Sequence, residues 1–237
     1  MQVVILAGGF GTRLSEETDL IPKPMVRIGS VPILLHIMNY YAEYGHTDFI
    51  VAMGYKANVI REYFEVDLKN SIDPTWNVML VDTGLETSTG GRIKLLEEEL
   101  DDEFMLTYGD GLSNVDLHKL LKHHSKHGKI ATVTAVRPPA RFGSIEVLNG
   151  IVTKFAEKDP QDAGWINGGF FCLNKKVCSF IFGTTTSFES EPLNALVSNK
   201  ELSAFEHHGW WQPMDTLRDK RTLESIWEKG GAPWLKA

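Results

Sequence analysis

The chain has 237 residues, a formal net charge of −7, 43% apolar residues and 23% charged ones. Those proportions exclude a disordered, collagen-like or coiled-coil chain, and the length allows a sizeable core without disulfide staples. An acidic chain is also a poor general binder of nucleic acid or anionic membrane, although a local basic pocket for a small anion remains open to it.

Taken in order, the chain alternates short apolar runs with helix-period runs. Val3 to Ala7 is continuously apolar and ends at Gly8-Gly9, which suits a central parallel strand buried on both faces. Pro32 to Tyr44 reads as a helix, with Pro at its start and Gly45 beyond its end. Phe49 to Ala52 is a strand, Lys56 to Phe64 a helix, Asn77 to Val81 a strand and Gly91 to Leu100 a helix. Phe104 to Tyr108 is a strand that runs into Gly109-Asp110-Gly111; Val115 to His127 is a helix and Ile130 to Val136 a β-branched strand. This rhythm predicts an α/β fold, doubly wound and Rossmann-like, around a mostly parallel sheet. After Pro138-Pro139 the rhythm changes. Two alternating runs, 144–147 and 151–154, flank Asn149-Gly150, which signals a hairpin inside a small inserted β region. Trp165 to Leu173 is a strand, Pro192 to Ser198 a helix, Leu202 to Glu206 a strand and Leu217 to Lys229 a helix. We expect one domain over 1–237, with 1–136 as one half and 137–237 as the other.

Cys172 and Cys178 sit in an apolar stretch and read as small buried hydrophobes. No apolar run reaches the roughly 18 residues of a membrane span, and the first residues read as a strand rather than a signal peptide. A reducing cytoplasm is the expected location.

The strongest local feature is Leu6-Ala7-Gly8-Gly9-Phe10-Gly11-Thr12-Arg13-Leu14, directly after a buried strand. Ligands of open α/β sheets bind outside the carboxyl ends of strands, and glycines let backbone N–H groups approach phosphate oxygens. Arg13 adds a planar, permanently charged fork. The loop is not a P-loop, which ends in Gly-Lys-Ser/Thr, and it lacks the third small residue of the dinucleotide fingerprint, since Leu14 stands there. A tight turn without a ligand is the alternative. Pro22-Lys23-Pro24 follows, where two prolines stiffen the backbone around one ammonium.

Further motifs come in a fixed order: Tyr108-Gly109-Asp110-Gly111, Arg141-Phe142-Gly143, Phe155-Ala156-Glu157-Lys158, Asn167-Gly168-Gly169 and Trp211-Gln212-Pro213-Met214-Asp215. Together with the first two segments they resemble the sugar-1-phosphate nucleotidyltransferases, also called sugar-nucleotide pyrophosphorylases. Thr89-Gly90-Gly91-Arg92, Glu191-Pro192-Leu193 and Trp227-Glu228-Lys229-Gly230 make the chain similar to the glucose-1-phosphate cytidylyltransferase branch. One departure is the short span Glu65 to Thr75, where that branch carries a longer segment; another is Ile21, where relatives often have a second lysine.

The resemblance implies transfer of a nucleotidyl group from a nucleoside triphosphate, CTP in that branch, to a sugar-1-phosphate. It implies nucleotide contacts from Leu6, Ala7, Gly8, Gly9, Gly11, Thr12, Arg13, Lys23, Thr89, Arg92 and Gly109. Arg13, Lys23 and Asp110 would be catalytic, Asp110 and Asp215 would bind Mg²⁺, and Gly143, Glu157, Lys158, Asn167 and Gly168 would hold the sugar phosphate. It also implies a homo-oligomer. The bland alternatives are a turn residue for Asp110, a helix cap for Asp215 or Thr89, and a surface ion pair for Glu157-Lys158. A glycosyltransferase would more often show Asp-x-Asp, and a non-catalytic sugar-nucleotide sensor would lose Lys23, Asp110 or Asp215.

His118, His123, His124 and His127 share one predicted helix with Lys119, Lys122 and Lys126 between them, which points to a solvated face rather than zinc. Trp210-Trp211 fits a packed core edge at least as well as carbohydrate stacking.

Overall fold

The computed structural model describes residues 1–68, 73–138, 143–156 and 164–235; among these the side chains of Arg13, Ser15, Glu16, Ser144 and Ala156 are left aside. The strands are β1 (Val3–Ala7), β2 (Arg27–Ile28), β3 (Val31–Pro32), β4 (Asp48–Met53), β5 (Asn77–Asp82), β6 (Glu103–Tyr108) and β7 (Gly111–Ser113). They continue with β8 (Ala131–Val136), β9 (Ser144–Leu148), β10 (Ile151–Ala156), β11 (Ile166–Asn167), β12 (Phe171–Asn174), β13 (Leu202–His207) and β14 (Trp211–Pro213). The α-helices are α1 (Ser15–Thr18), α2 (Ile33–Ala42), α3 (Ala57–Glu62), α4 (Thr89–Leu95), α5 (Leu117–His127), α6 (Glu191–Ser198) and α7 (Leu217–Glu228).

The main sheet runs β5-β4-β1-β6-β12-β8-β13, with β11 also on β8. β1 pairs in parallel with β4 and β6, and β8 in parallel with β13, whereas β12 and β11 run antiparallel to their neighbours. The mostly parallel expectation therefore holds, with the reversal confined to β11 and β12. Alternate residues of β1 explain its unbroken apolar run. Val3, Ile5 and Ala7 enter one core with α2, α5 and α7, while Val4 and Leu6 enter a second core with α4 and α6. Helices thus cover both faces, and each face removes apolar area from water. The chain leaves β1 toward β4 on one side and reaches β6 on the other, so a crevice opens at the carboxyl end of β1.

Asn149 and Gly150 both have positive φ, as the hairpin of β9 and β10 requires. The predicted strand Trp165 to Leu173 is interrupted. Gly169 and Phe170 have φ of 76° and 48°, and its two ends, β11 and β12, pair with β8 on either side of that break. The helix predicted over 91–100 begins earlier, at Thr89, and gives way to a 3-10 turn over Glu97–Glu99. Cys172 and Cys178 are buried and free.

The solvated histidine face is corrected by the structure. α5 packs on β8 and β13, which present hydroxyls to it. His124 is buried with Nδ1 2.8 Å from Thr132 Oγ1, His127 Nε2 lies 2.9 Å from the same oxygen, and His123 Nε2 lies 3.0 Å from Ser203 Oγ. His118 is exposed.

The last described residues close the first core. Trp234 is fully buried, and its Nε1 donates to His36 Nδ1 at 3.2 Å. That bond places the ring proton on Nε2, which donates to Ile28 O at 3.1 Å. Trp227 meets His36 edge-on at 4.8 Å and Trp210 stacks on Trp234 at 5.2 Å, so Trp210 is a core-edge residue. Burial holds the His36 pKa below its ordinary value and keeps the ring neutral. Among the described residues no helix is long and apolar enough to cross a membrane.

Candidate active site

At the carboxyl end of β1 lies a cavity of about 430 Å³. It is lined by Leu6, Ala7, Gly8, Gly9, Gly11 and Thr12, with Lys23, Pro24, Gly109 and Asp110. Thr87, Ser88, Thr89, Arg92, Tyr108, Ser187 and Glu189 complete the lining. Arg13 follows in the turn Thr12–Leu14, with its side chain outside the described part.

Two remote turns meet at Lys23. Its Nζ lies 2.6 Å from Asp110 Oδ2 and 2.7 Å from Asp215 Oδ1. The sequence builds this meeting in three steps. Pro22 in extended backbone and Pro24 in the first turn hold Lys23 in a short 3-10 turn. Strands β7 and β14 pair with Gly111 opposite Pro213, and Met214 N donates to Asp110 O at 2.8 Å, so the two aspartate turns come together. Thr216, not Asp215, caps α7: its side chain and that of Asp219 form a reciprocal capping box. Asp219 Oδ2 also accepts from the Asp215 N–H at 3.2 Å, which fixes the backbone while the Asp215 side chain turns to Lys23. Lys23 is only 7% exposed. Burial opposes its charge, but the Asp110 and Asp215 carboxylates outweigh burial and raise its pKa.

Arg92, expected among the nucleotide contacts, lines the cavity but turns its guanidinium to groups of the protein itself. It is 3% exposed, and its guanidinium donates to Met53 O at 2.9 Å, Thr83 Oγ1 at 2.6 Å, Gly84 O at 2.8 Å and Gly8 O at 2.9 Å. Arg92 therefore underpins the glycine-rich turn from below. Gly8 is required there, because a Cβ would stand 2.7 Å from Arg92 Nε.

Thr89 does not cap α4 with its side chain, although the helix begins beside it. Its Oγ1 accepts from Phe188 N at 2.9 Å and donates to Glu189 Oε2 at 2.6 Å. Gly90 and Gly91 permit this docking, since a Cβ on Gly90 would lie 2.7 Å from Thr186 O and one on Gly91 would enter the backbone of Thr184. Tyr108 Oη donates to Glu189 Oε1 at 2.6 Å and accepts from Asn167 Nδ2 at 3.0 Å. Burial, with the Glu189 charge beside it, holds the Tyr108 phenol well above its usual range.

Asn167 thus reaches the cavity through Tyr108. Gly168 is buried between Val136 and Trp211, whose Nε1 donates to Gly168 O at 2.8 Å. Gly143 is exposed at the start of the hairpin. Glu157 and Lys158 lie outside the described residues. Sequence reasoning missed Ser187 and Glu189; the pairing of Glu189 with Thr89 spans 100 positions and leaves no local signature.

The profile of the Nucleotidyl transferase family matches residues 2–228. A glucose-1-phosphate cytidylyltransferase of Salmonella typhimurium is 50% identical over 253 aligned positions, covering 99% of this chain and 98% of that protein. A probable glucose-1-phosphate cytidylyltransferase of Bacillus subtilis is 40% identical over 99% of each chain. The Salmonella alignment is longer than the 237 residues of this chain, so that relative carries residues this chain lacks. HddC from Yersinia pseudotuberculosis complexed with GMP-PN superposes with a TM-score of 0.73 at 27% identity, covering 95% of this chain and 99% of the other. UDP-glucose pyrophosphorylase complexed with UDP-glucose shares the fold, with a TM-score of 0.74 at 18% identity over 96% and 98% of the two chains. With a family profile spanning almost the whole chain, and a relative half identical along nearly all of both lengths, the chain belongs to the Nucleotidyl transferase family.

Proposed function

We propose that the protein transfers a cytidylyl group from CTP to glucose-1-phosphate, giving CDP-glucose and pyrophosphate. The observation that carries the reaction type is the Lys23 ammonium, buried between Asp110 and Asp215 in the cavity that the glycine-rich turn also lines. The base and the sugar rest on the Salmonella and Bacillus relatives.

In this reaction a phosphate oxygen of the sugar phosphate attacks the α-phosphorus of CTP. The bond from that phosphorus to the bridging oxygen breaks, and pyrophosphate leaves. No nucleophilic side chain is needed, so positioning and charge neutralisation supply most of the acceleration. Backbone N–H groups of the Gly8–Thr12 turn face the triphosphate, with Arg13 on the leaving pyrophosphate. Lys23 faces the α-phosphate, where charge develops, and its raised pKa keeps it cationic. Asn167, Gly143 and Gly168, with Glu157 and Lys158, serve the sugar phosphate in this reading.

The donors fit Mg²⁺. Two hard carboxylates from distant turns converge on one ammonium, with side chains 30% and 17% exposed. Among the described residues no group of three or more metal-ligating side chains occurs, so Asp110 and Asp215 would hold the ion with phosphate oxygens and water completing its shell. Bound there, Mg²⁺ supplies charge neutralisation to the phosphates.

The test is pyrophosphate release with Mg²⁺ and glucose-1-phosphate, comparing CTP, UTP, dTTP, GTP and ATP. Preference for CTP is the expected result. Preference for another base keeps the reaction and refutes the cytidylyl assignment.

A further inference from the structure

The cavity also carries a carboxylate, Glu189, that the reaction above leaves without a task. Glu189 Oε2 accepts from Thr89 Oγ1 at 2.6 Å and from Ser187 Oγ at 2.8 Å, and Oε1 accepts from Tyr108 Oη at 2.6 Å. A carboxylate offers about four acceptor positions. Three are filled here, and among the described residues no donor takes the fourth. The side chain lines the cavity and is exposed.

The placement narrows what can approach. Among the described residues Glu189 forms no ion pair and its donors are all neutral, so nothing offsets its repulsion of a phosphate, whereas Asp110 and Asp215 have Lys23 between them. Glu189 therefore faces an uncharged part of a substrate. The groups around it are hydroxyls and one amide: Thr89, Ser187, Tyr108 and, beyond Tyr108, Asn167. Such a wall suits a ligand hydroxyl, which donates to a carboxylate while accepting from a neighbouring donor. A charged acceptor makes that bond about twice as strong as a neutral one. The same carboxylate joins Thr89 on one wall to Tyr108 and Asn167 on the other.

We propose that Glu189 is a substrate-binding residue, whose open acceptor position takes the hydrogen of a pentose or hexose hydroxyl while its other three bonds hold the two walls in register. The proposal rests on the nucleotidyl-transfer reading for the identity of the substrates.

The experiment compares the parent enzyme with Glu189→Gln, which keeps the shape and removes the charge. Each is assayed by pyrophosphate release with CTP and glucose-1-phosphate, then with 2′-deoxy-CTP, 3′-deoxy-CTP or the 2-, 3-, 4- or 6-deoxy analogue of glucose-1-phosphate replacing its parent substrate. With the full substrates, kcat/KM falls about tenfold in the variant. With one analogue, the one lacking the recognised hydroxyl, parent and variant differ by less than about threefold, because the interaction is already gone. A ribose analogue places the hydroxyl on the nucleotide, a hexose analogue on the sugar phosphate. The proposal is overturned if the variant matches the parent on the full substrates, or if it loses the same factor with every analogue. Should Glu189→Gln not fold by thermal melting, Glu189→Asp, which keeps the charge on a shorter stem, replaces it under the same criteria. If the parent releases no pyrophosphate with any pair, the transfer reading fails. Calorimetric titration of both proteins with CTP, its deoxy analogues and the sugar phosphates then scores Glu189 by the same pattern of losses.

Discussion

The buried Arg92 cage makes the sharpest claim about how the glycine-rich turn is held. Arg92→Met keeps most of the volume and removes every donor. It strips partners from Met53 O and Gly8 O, both in buried bonds, and from Thr83 Oγ1 and Gly84 O. Met53 O keeps the Thr83 N–H at 3.0 Å and the Thr83 hydroxyl at 2.7 Å, and Gly8 O keeps the Tyr55 N–H at 3.1 Å, so the loss is of hydrogen bonds to a charged donor rather than of every partner. At about 1.5–3 kcal/mol for each hydrogen bond to a charged group, offset in part because the variant no longer buries a guanidinium, the variant loses about 4 kcal/mol. In a chain of this size that lowers the melting temperature by about 8–16 °C. Gly8→Ala attacks the same contact from the other side, since its Cβ would sit 2.7 Å from Arg92 Nε. In the Arg92→Met background that clash is relieved, so the cost of Gly8→Ala should shrink by at least about 1 kcal/mol. Circular-dichroism melts of the two single variants and the double variant make the comparison, with KM for the nucleotide as second readout. Arg92→Met melting within about 2 °C of the parent, together with an undiminished cost of Gly8→Ala, would refute the cage.

Lys23→Ala should lower the rate of pyrophosphate release about 100- to 1000-fold, as for loss of a group stabilising transition-state charge, while far-UV circular dichroism stays that of the parent; normal turnover removes Lys23 from the mechanism. The folded-state pKa of Lys23 is raised above 10.5, so its contribution to stability is complete below that value and is lost only as pH climbs through the folded one. Melting temperature should accordingly show no lysine-linked fall below about pH 10. His36 has a folded pKa lowered from 6.5, by burial first, and His46 one lowered to about 4. The unfolded chain therefore binds protons that the folded chain refuses, and stability drops as pH falls below 6.5 toward those folded values. His36→Gln should flatten part of that slope in melts from neutral to acid pH; an unchanged slope argues against a neutral, buried His36. Gly91→Ala forces a Cβ into Thr184, and we expect a loss of about 1–3 kcal/mol with a raised KM for the nucleotide; a variant indistinguishable from the parent in both would contradict the close packing.

The parts of the fold legible in the sequence are those with local cause. β1 is apolar at every position because both faces are covered, and Asn149-Gly150 forms a hairpin because both turn positions require positive φ. The Gly8–Thr12 turn and Lys23 line the cavity as expected from their residues alone. What escaped has non-local cause. The direction of β12 cannot be read from its apolar run, since a buried strand looks the same when reversed. The role of Arg92 depends on carbonyls from three other segments, and three histidines of α5 turn from water only because Thr132 and Ser203 lie opposite them. Glu189 sits in a loop without periodicity, and its partners arrive from β6 and α4.

The burial of Trp234 has a consequence for the order in which this core can form. Trp234 belongs to the same core as β1, α2 and α5, and its indole completes the hydrogen bonding of His36 on α2. During synthesis the early strands emerge first, yet their core lacks the indole that His36 bonds until Trp234, 198 positions later, has followed. Packing of that core should therefore be completed only after residue 234 has been made, and Trp234→Ala would empty the indole slot and loosen α2 together with β2, which bears Ile28.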